Sequence, residues 1–189
     1  MLKEDLDFIK RMAAEHYHGG MALDVGSGTA EFRRREKFPY DLAPLFEPGA
    51  YTTFDQKEGD GVDVMGDAHQ LASYYLDRPF TFLICASLLE HVRKPWVVAA
   101  QMWQVLKPGG VIVVSVPWVY PTHSDPVDCW RMSEGAVIGL FQPYFEKLES
   151  GTETIYNFGM PPVPPPWRSC VEGEISLYCG KAREEVLSA

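Results

Sequence analysis

Met21-Ala22-Leu23-Asp24-Val25-Gly26-Ser27-Gly28-Thr29-Ala30-Glu31 decides how this chain reads: a short apolar run carrying an acid breaks into a glycine-rich turn. Glycine lacks a Cβ and accepts φ > 0, so a strand followed by Gly-x-Gly and a helix start lets a ligand approach the backbone closely. A dinucleotide fingerprint requires a third glycine where this chain has Glu31, and a pyrophosphate would meet a carboxylate there. A P-loop requires Gly-Lys-Ser/Thr, which does not follow. What remains is a nucleotide-sized ligand with no phosphate at the turn, or an ordinary strand-to-helix turn. For a ligand site, a side chain at Gly26 or Gly28 is expected to clash with the ligand and spare the fold.

Length and charge narrow the class. At 189 residues the chain is long enough to bury one core and too short for a Rossmann module plus a sizeable second domain. Its 17 basic and 26 acidic residues give a net charge of -9, a field that repels phosphate backbones and argues against nucleic-acid partners. No run of about 18 apolar residues exists to span a bilayer. The start, Met1-Leu2-Lys3-Glu4-Asp5-Leu6-Asp7, lacks the uninterrupted apolar stretch of a signal peptide, so a cytoplasmic location is expected. Cys85, Cys129, Cys170 and Cys179 contain no C-x-x-C pair and no metal-type histidine spacing; reduced, mostly buried thiols and no metal site are expected.

Leu2, Leu6, Ile9 and Ala13 recur at helical spacing, which predicts an amphipathic helix over 2–17, stopped by Gly19-Gly20. After the glycine turn, Glu31-Phe32-Arg33-Arg34-Arg35-Glu36 reads as a polar helix whose arginines, flanked by acids, form a solvated face. Tyr51-Thr52-Thr53-Phe54-Asp55 is rich in β-formers and closes on a carboxylate. Ligands of open α/β sheets bind beyond the carboxyl ends of the strands, where Asp55 can accept both hydroxyls of a ribose. It stands 31 positions after Asp24, a longer interval than in the dinucleotide pattern. Residues 61–67 read as a third strand ending at Asp67. Phe80-Thr81-Phe82-Leu83-Ile84-Cys85 is a continuous apolar run, as expected of a central strand covered on both faces.

That strand leads into Ala86-Ser87-Leu88-Leu89-Glu90-His91-Val92, a helix over 95–106, Lys107-Pro108-Gly109-Gly110 and a strand over 111–116. Lys-Pro-Gly-Gly is a helix stop feeding a strand. Taken in order with Asp24, Gly26, Gly28, Asp55 and Asp67, these segments resemble the class I S-adenosylmethionine-dependent methyltransferases, in particular their type 11 small-molecule group, over roughly residues 20–140. The resemblance implies a Rossmann-like, doubly wound α/β fold. Its sheet would be mostly parallel and seven-stranded, with a C-terminal antiparallel hairpin, in one domain over 1–189. It also implies S-adenosylmethionine as cofactor, held by Asp24, Gly26, Ser27, Gly28, Asp55, Gln56, Asp67, Ala68, Ala86 and Ser87, with Asp67 and the backbone after it facing the adenine amino group.

Residues 117–132, dense in aromatics and prolines, follow the fifth strand where a loop would cover the methyl group. His123, Pro126, Asp128, Trp130, Arg131 and Ser133 resemble a His-x-x-Pro-x-Asp-x-Trp-Arg-x-Ser segment of some type 11 proteins. Substrate-binding roles are expected for His91, Tyr120, Trp130 and Arg131. An internal Asp128–Arg131 ion pair and a packing Trp130 are the competing readings. Ser133 before Glu134 suits a helix N-cap. Residues 144–149 and 174–179 read as an antiparallel hairpin, and the proline-rich part of 156–172, Pro161 through Trp167, as a second substrate cover or a partner-binding extended segment.

The function expected from the resemblance is methyl transfer to a small-molecule acceptor. A sulfonium is already a good leaving group, so holding the nucleophile in line and dry carries the rate. A base is needed only if the acceptor must lose a proton, with His123 the first candidate and His91 the second. A nicotinamide-dependent oxidoreductase is disfavoured by the missing third glycine and the absence of a Tyr-x-x-x-Lys pair. A non-catalytic scaffold using the proline-rich segment is the alternative of a different kind.

Overall fold

The computed structural model describes residues 3–35, 41–122, 127–155 and 173–186. Within them the sheet is built from β1 (Met21–Val25), β2 (Tyr51–Asp55), β3 (Val64–Met65), β4 (Phe80–Ala86), β5 (Leu106–Val119), β6 (Phe145–Ile155) and β7 (Gly173–Ala182). Helices are α1 (Lys3–His16), α2 (Ala30–Arg35), α3 (Leu71–Tyr74), α4 (Pro95–Val105) and α5 (Glu134–Phe141). The strand order is β3-β2-β1-β4-β5-β7-β6. All pairings are parallel except those of β7, which runs antiparallel to both β5 and β6. The expected seven-stranded, mostly parallel sheet with its C-terminal hairpin is therefore the observed one.

Central strands alternate between two cores. Phe80, Leu83 and Cys85 of β4, with Ile112, Val114 and Val116 of β5, meet Val98, Met102 and Val105 of α4 and Val137 and Phe141 of α5. On the other face Phe82, Ile84, Val111 and Val113 meet Phe8, Ile9, Met12 and Ala13 of α1. Phe82, Leu83 and Ile84 are fully buried, each contributing about 1.5–3 kcal/mol through removal of apolar surface from water.

Several strand bounds differ from expectation, β6 for one running on to Ile155 and not 149. The third strand is only Val64–Met65 and not 61–67. The Asp63 carboxylate takes the Thr53 N–H at 2.9 Å and hydroxyl at 2.8 Å, and the Asp67 carboxylate takes the His69 N–H at 2.9 Å, opening a 3-10 turn at Ala68–Gln70. These local side-chain bonds replace ladder bonds at both ends. The fifth strand begins at Leu106, not 111. Leu106 pairs with Phe80 and Val111 with Phe82, so 107–110 bulge out with Gly109 at φ +79°. Among the cysteines, Cys85 and Cys179 are buried but Cys129 is exposed. Ser133 caps α5 as expected, its hydroxyl accepting the Ala136 N–H at 3.3 Å. Among the described residues no helix is long and apolar enough to cross a membrane.

Candidate active site

Strand order reverses direction between β1 and β4: from β1 the chain winds outward through β2 and β3, and from β4 the other way to β5. Neighbouring loops part at such a switch point, leaving a crevice beyond the carboxyl ends of the strands. Here lies a cleft of about 370 Å³. Its walls come from the glycine turn (Gly26, Gly28), the end of β2 (Asp55, Gln56, Lys57), the end of β3 (Asp67, Ala68, His69) and the segment after β4 (Ser87, Leu88, His91).

The turn is held from several sides. Gly26 and Gly28 have φ +83° and +68°, the left-handed region that glycine alone enters readily. Gly26 N–H donates to the Phe54 carbonyl at 2.8 Å and Gly28 N–H to Asp55 Oδ2 at 2.9 Å. Arg33 Nη1 donates to the Ser27 and Gly28 carbonyls at 3.1 and 3.0 Å, so this arginine ties α2 to the turn and is not merely a solvated face. A Cβ on Gly26 would stand 3.0 Å from the Leu88 Cβ, and one on Gly28 3.0 Å from the Phe32 ring. A side chain at either position thus strains the protein itself, which corrects the expectation that only a ligand would feel it.

Asp24, Ser27 and Ala86, expected at the cofactor, are buried and stand outside the cleft lining. Burial pushes the Asp24 carboxyl up to about 6, although the Tyr51 hydroxyl donates to it at 2.7 Å. That bond braces β1 against β2 behind the turn. Asp55 reaches the lining with both oxygens engaged, Oδ2 by Gly28 N–H and Oδ1 by Lys57 N–H at 2.9 Å. A carboxylate offers about four lone-pair sites, so it retains acceptor capacity for a diol. Gln56, Asp67, Ala68 and Ser87 also line the cleft.

Asp67 Oδ1 accepts both the His69 N–H at 2.9 Å and His69 Nδ1–H at 2.7 Å. Burial pushes its pKa up, but those two bonds outweigh it and hold the carboxyl below its usual value. His69 Nε2 accepts the Lys94 N–H at 3.3 Å, tying the loop after β3 to the start of α4. Ser87 holds φ +52° with its N–H donated to the Ser115 carbonyl at 3.0 Å. A non-glycine residue there costs about 1–2 kcal/mol, the strain that clusters at ligand sites.

Of the four residues expected to bind substrate only His91 lines the cleft. Arg131 uses all five of its N–H donors within its own segment: on both oxygens of Asp128, and on the carbonyls of Tyr120 at 3.1 Å, Pro121 at 3.0 Å and Trp130 at 2.8 Å. Of the two readings of this pair, the internal ion pair is the one formed. Trp130 donates Nε1–H to the Val92 carbonyl at 2.8 Å and sets its ring edge-on to Trp96, an anchoring arrangement. Half-buried Tyr120 packs against the core beneath α1. His123, expected as the base, and segment 156–172 lie outside the described residues.

Sequence reading missed Phe32, Phe54 and Leu88 as walls and Arg33 and His69 as polar contributors. His69, two positions after Asp67, carried a local signal; the others did not. The cradle fits S-adenosylmethionine: a glycine turn that lacks the third glycine and the lysine of phosphate-binding turns, a carboxylate with acceptor capacity at β2, and a second carboxylate at β3 whose Oδ2 takes no part in the bonds to His69.

The family profile described as a methyltransferase domain matches residues 3–144. No curated protein matches the chain. Among solved structures, the Burkholderia thailandensis 1,6-didemethyltoxoflavin-N1-methyltransferase, with bound 1,6-didemethyltoxoflavin and S-adenosylhomocysteine, is similar at a TM-score of 0.63 and 15% identity, over 95% of this chain and 79% of that one. The N-methyltransferase NodS of Bradyrhizobium japonicum WM9, in complex with S-adenosylhomocysteine, gives 0.61 at 13% identity, over 96% and 88%. A SAM-dependent methyltransferase from Archaeoglobus fulgidus gives 0.59 at 14% identity, over 93% of each chain. At these identities the likeness is one of fold.

Proposed function

We propose, from the premise that this chain belongs to the methyltransferase-domain family and is an S-adenosylmethionine-dependent methyltransferase, that its acceptor is a small molecule and that Gly26, Gly28, Asp55, Gln56, Asp67, Ala68 and Ser87 hold the cofactor. The observation that carries the site assignment is a glycine turn bonded to the Asp55 carboxylate at the switch point of the sheet. When bound, S-adenosylmethionine supplies a methyl group activated on a sulfonium. Asp55 accepts the ribose hydroxyls, Asp67 Oδ2 accepts the adenine amino group, and the turn's backbone lies against the methionine end. Asp24, Ser27 and Ala86 act from behind, fixing the turn and the β4 end. Leu88, against Gly26, and the Trp130-anchored segment exclude water from the reacting centre.

A small acceptor is supported by the net charge of -9, which disfavours nucleic acids, and by the small ligand of the Burkholderia protein. Calorimetry with S-adenosylhomocysteine and with NAD tests the cofactor: the former binds and the latter does not. Transfer of labelled methyl groups into the low-mass fraction of a cell extract, with protein and nucleic-acid fractions unlabelled, tests the acceptor class. Label appearing only in macromolecules overturns it.

A further inference from the structure

The Asp67 side chain is 56% exposed, where a carboxylate ordinarily turns between rotamers and an ion pair adds little to stability. His69 nevertheless binds it twice, and both donors meet on one atom: Oδ1 accepts the backbone N–H at 2.9 Å and Nδ1–H at 2.7 Å. Burial raises the Asp67 carboxyl, those two bonds outweigh it, and the group stays an ionised acceptor. No hydrogen bond among the described residues falls on Oδ2, and Asp67 lines the cleft. The ring of His69 is itself fixed from its far side. Nε2 accepts the N–H of Lys94, the N-cap residue of α4, at 3.3 Å, so the imidazole is neutral with its proton on Nδ1.

Holding the loop after β3 in place does not require this ring. Ala68 and Leu71 are buried, and Ala72 N–H donates to Gln101 Oε1 of α4 at 2.9 Å. What the ring does that these contacts cannot is to occupy Oδ1 and set the plane of the carboxylate. We infer that His69 is a positioning residue that determines base specificity: it turns Asp67 so that Oδ2 meets the cleft as a fixed acceptor, complementary to the 6-amino group of a purine. This rests on the cofactor reading above, which sets adenine against Asp67. A pre-set acceptor binds the amino group without first losing rotamer freedom. Nor can it turn away from a base that lacks the donor, so such a base takes water from Oδ2 and returns no bond. Discrimination between the two bases is therefore larger with His69 than without it.

S-adenosylhomocysteine is compared with its analogue carrying hydrogen in place of the 6-amino group, a change that removes the donor and adds nothing. Calorimetry gives both affinities for the full chain and for His69→Ala and His69→Asn. The unmodified protein binds S-adenosylhomocysteine about tenfold or more tightly than the analogue, through a charge-assisted bond. In His69→Ala that ratio falls to about threefold or less, whereas in His69→Asn, whose amide N–H stands where Nδ1–H stood, it stays within about twofold of the unmodified value. A histidine that only supported the loop would, on removal, weaken both ligands alike. An unchanged ratio in His69→Ala therefore overturns the assignment, as does a ratio lost equally in His69→Asn. Should His69→Ala not fold, His69→Gln, whose amide lies further from the backbone than Nδ1, takes its place in the same comparison. A ratio near unity in the unmodified protein also overturns the assignment, with the remaining cofactor contacts standing. Failure of the unmodified protein to bind S-adenosylhomocysteine overturns the cofactor reading and this role with it.

Discussion

Replacing Asp55 by alanine removes a carboxylate with two backbone tasks and, with cofactor bound, a third. Oδ2 holds Gly28 N–H and Oδ1 holds Lys57 N–H, both at 2.9 Å. Hydrogen bonds to a charged group contribute about 1.5–3 kcal/mol each, and at a water-exposed rim the two ribose bonds together contribute about 2–3 kcal/mol. At 1.4 kcal/mol per tenfold, the Kd for S-adenosylhomocysteine rises about 30- to 150-fold. The freed N–H groups lie at the edge of the cleft, where water takes over the lost acceptor. Stability therefore falls by only about 1 kcal/mol, a Tm lower by about 2–4 °C. Calorimetry gives the first quantity and a thermal melt the second, and Asp55→Asn, which keeps one acceptor oxygen, falls between. A folded Asp55→Ala protein whose Kd changes less than about threefold removes Asp55 from the cofactor site.

Arg33→Ala frees the carbonyls of Ser27 and Gly28, and calorimetry should show S-adenosylhomocysteine affinity weakened about 3- to 10-fold through a loosened turn. Arg131→Ala deletes five bonds inside one segment; we expect about 2 kcal/mol of lost stability, a Tm lower by about 4–8 °C, with cofactor affinity intact. A normal melt together with impaired acceptor binding would return Arg131 to the substrate site. Burial raises Glu90 from 4.5 to about 8 and Asp24 from 3.8 to about 6. Across those intervals the native state binds more protons than the unfolded state, so stability is greatest at the acid end and falls as pH rises. Glu90→Gln removes the larger share, so its urea midpoint exceeds that of the unmodified protein at pH 8 and converges with it toward pH 4.5.

The fold was legible where local chemistry and packing agree. β1 and β2 carry the expected bounds because β-forming, apolar residues end at a glycine turn and at a carboxylate. Ser133 announced α5 because its hydroxyl meets a local N–H. Legibility failed where a partner lies far along the chain. Arg33 sits in Arg33-Arg34-Arg35 between acids, and nothing in that string says that one arginine turns back to the glycine loop. Glu90, between Leu89 and His91, reads as an ordinary polar residue because its burial depends on the return of Cys129 and Trp130 to its carbonyl. The extension of β5 back to Leu106 rests on a register with Phe80 that no local pattern encodes. The expected substrate residues were least legible: Arg131 and Trp130 look like binding groups by type, yet their donors are engaged by their own neighbourhood, and Tyr120 packs on the core.

The slot that β7 occupies sets a timetable for synthesis. A ribosome that has released residue 155 has supplied six of the seven strands, yet β6 has no neighbour, since β7 is its pairing partner, and β5 has one bare edge. Val111 through Val116, valine-rich and destined for burial, then stand beside unpaired N–H and C=O groups, the template that another copy of the chain adds to. Only emergence of residues 173–182 fills the gap, and pairing strands so distant in sequence carries a loop-closure cost that slows the step. Translation speed through that last stretch, and the chaperones that meet the chain during it, therefore govern how much of the enzyme reaches its native state.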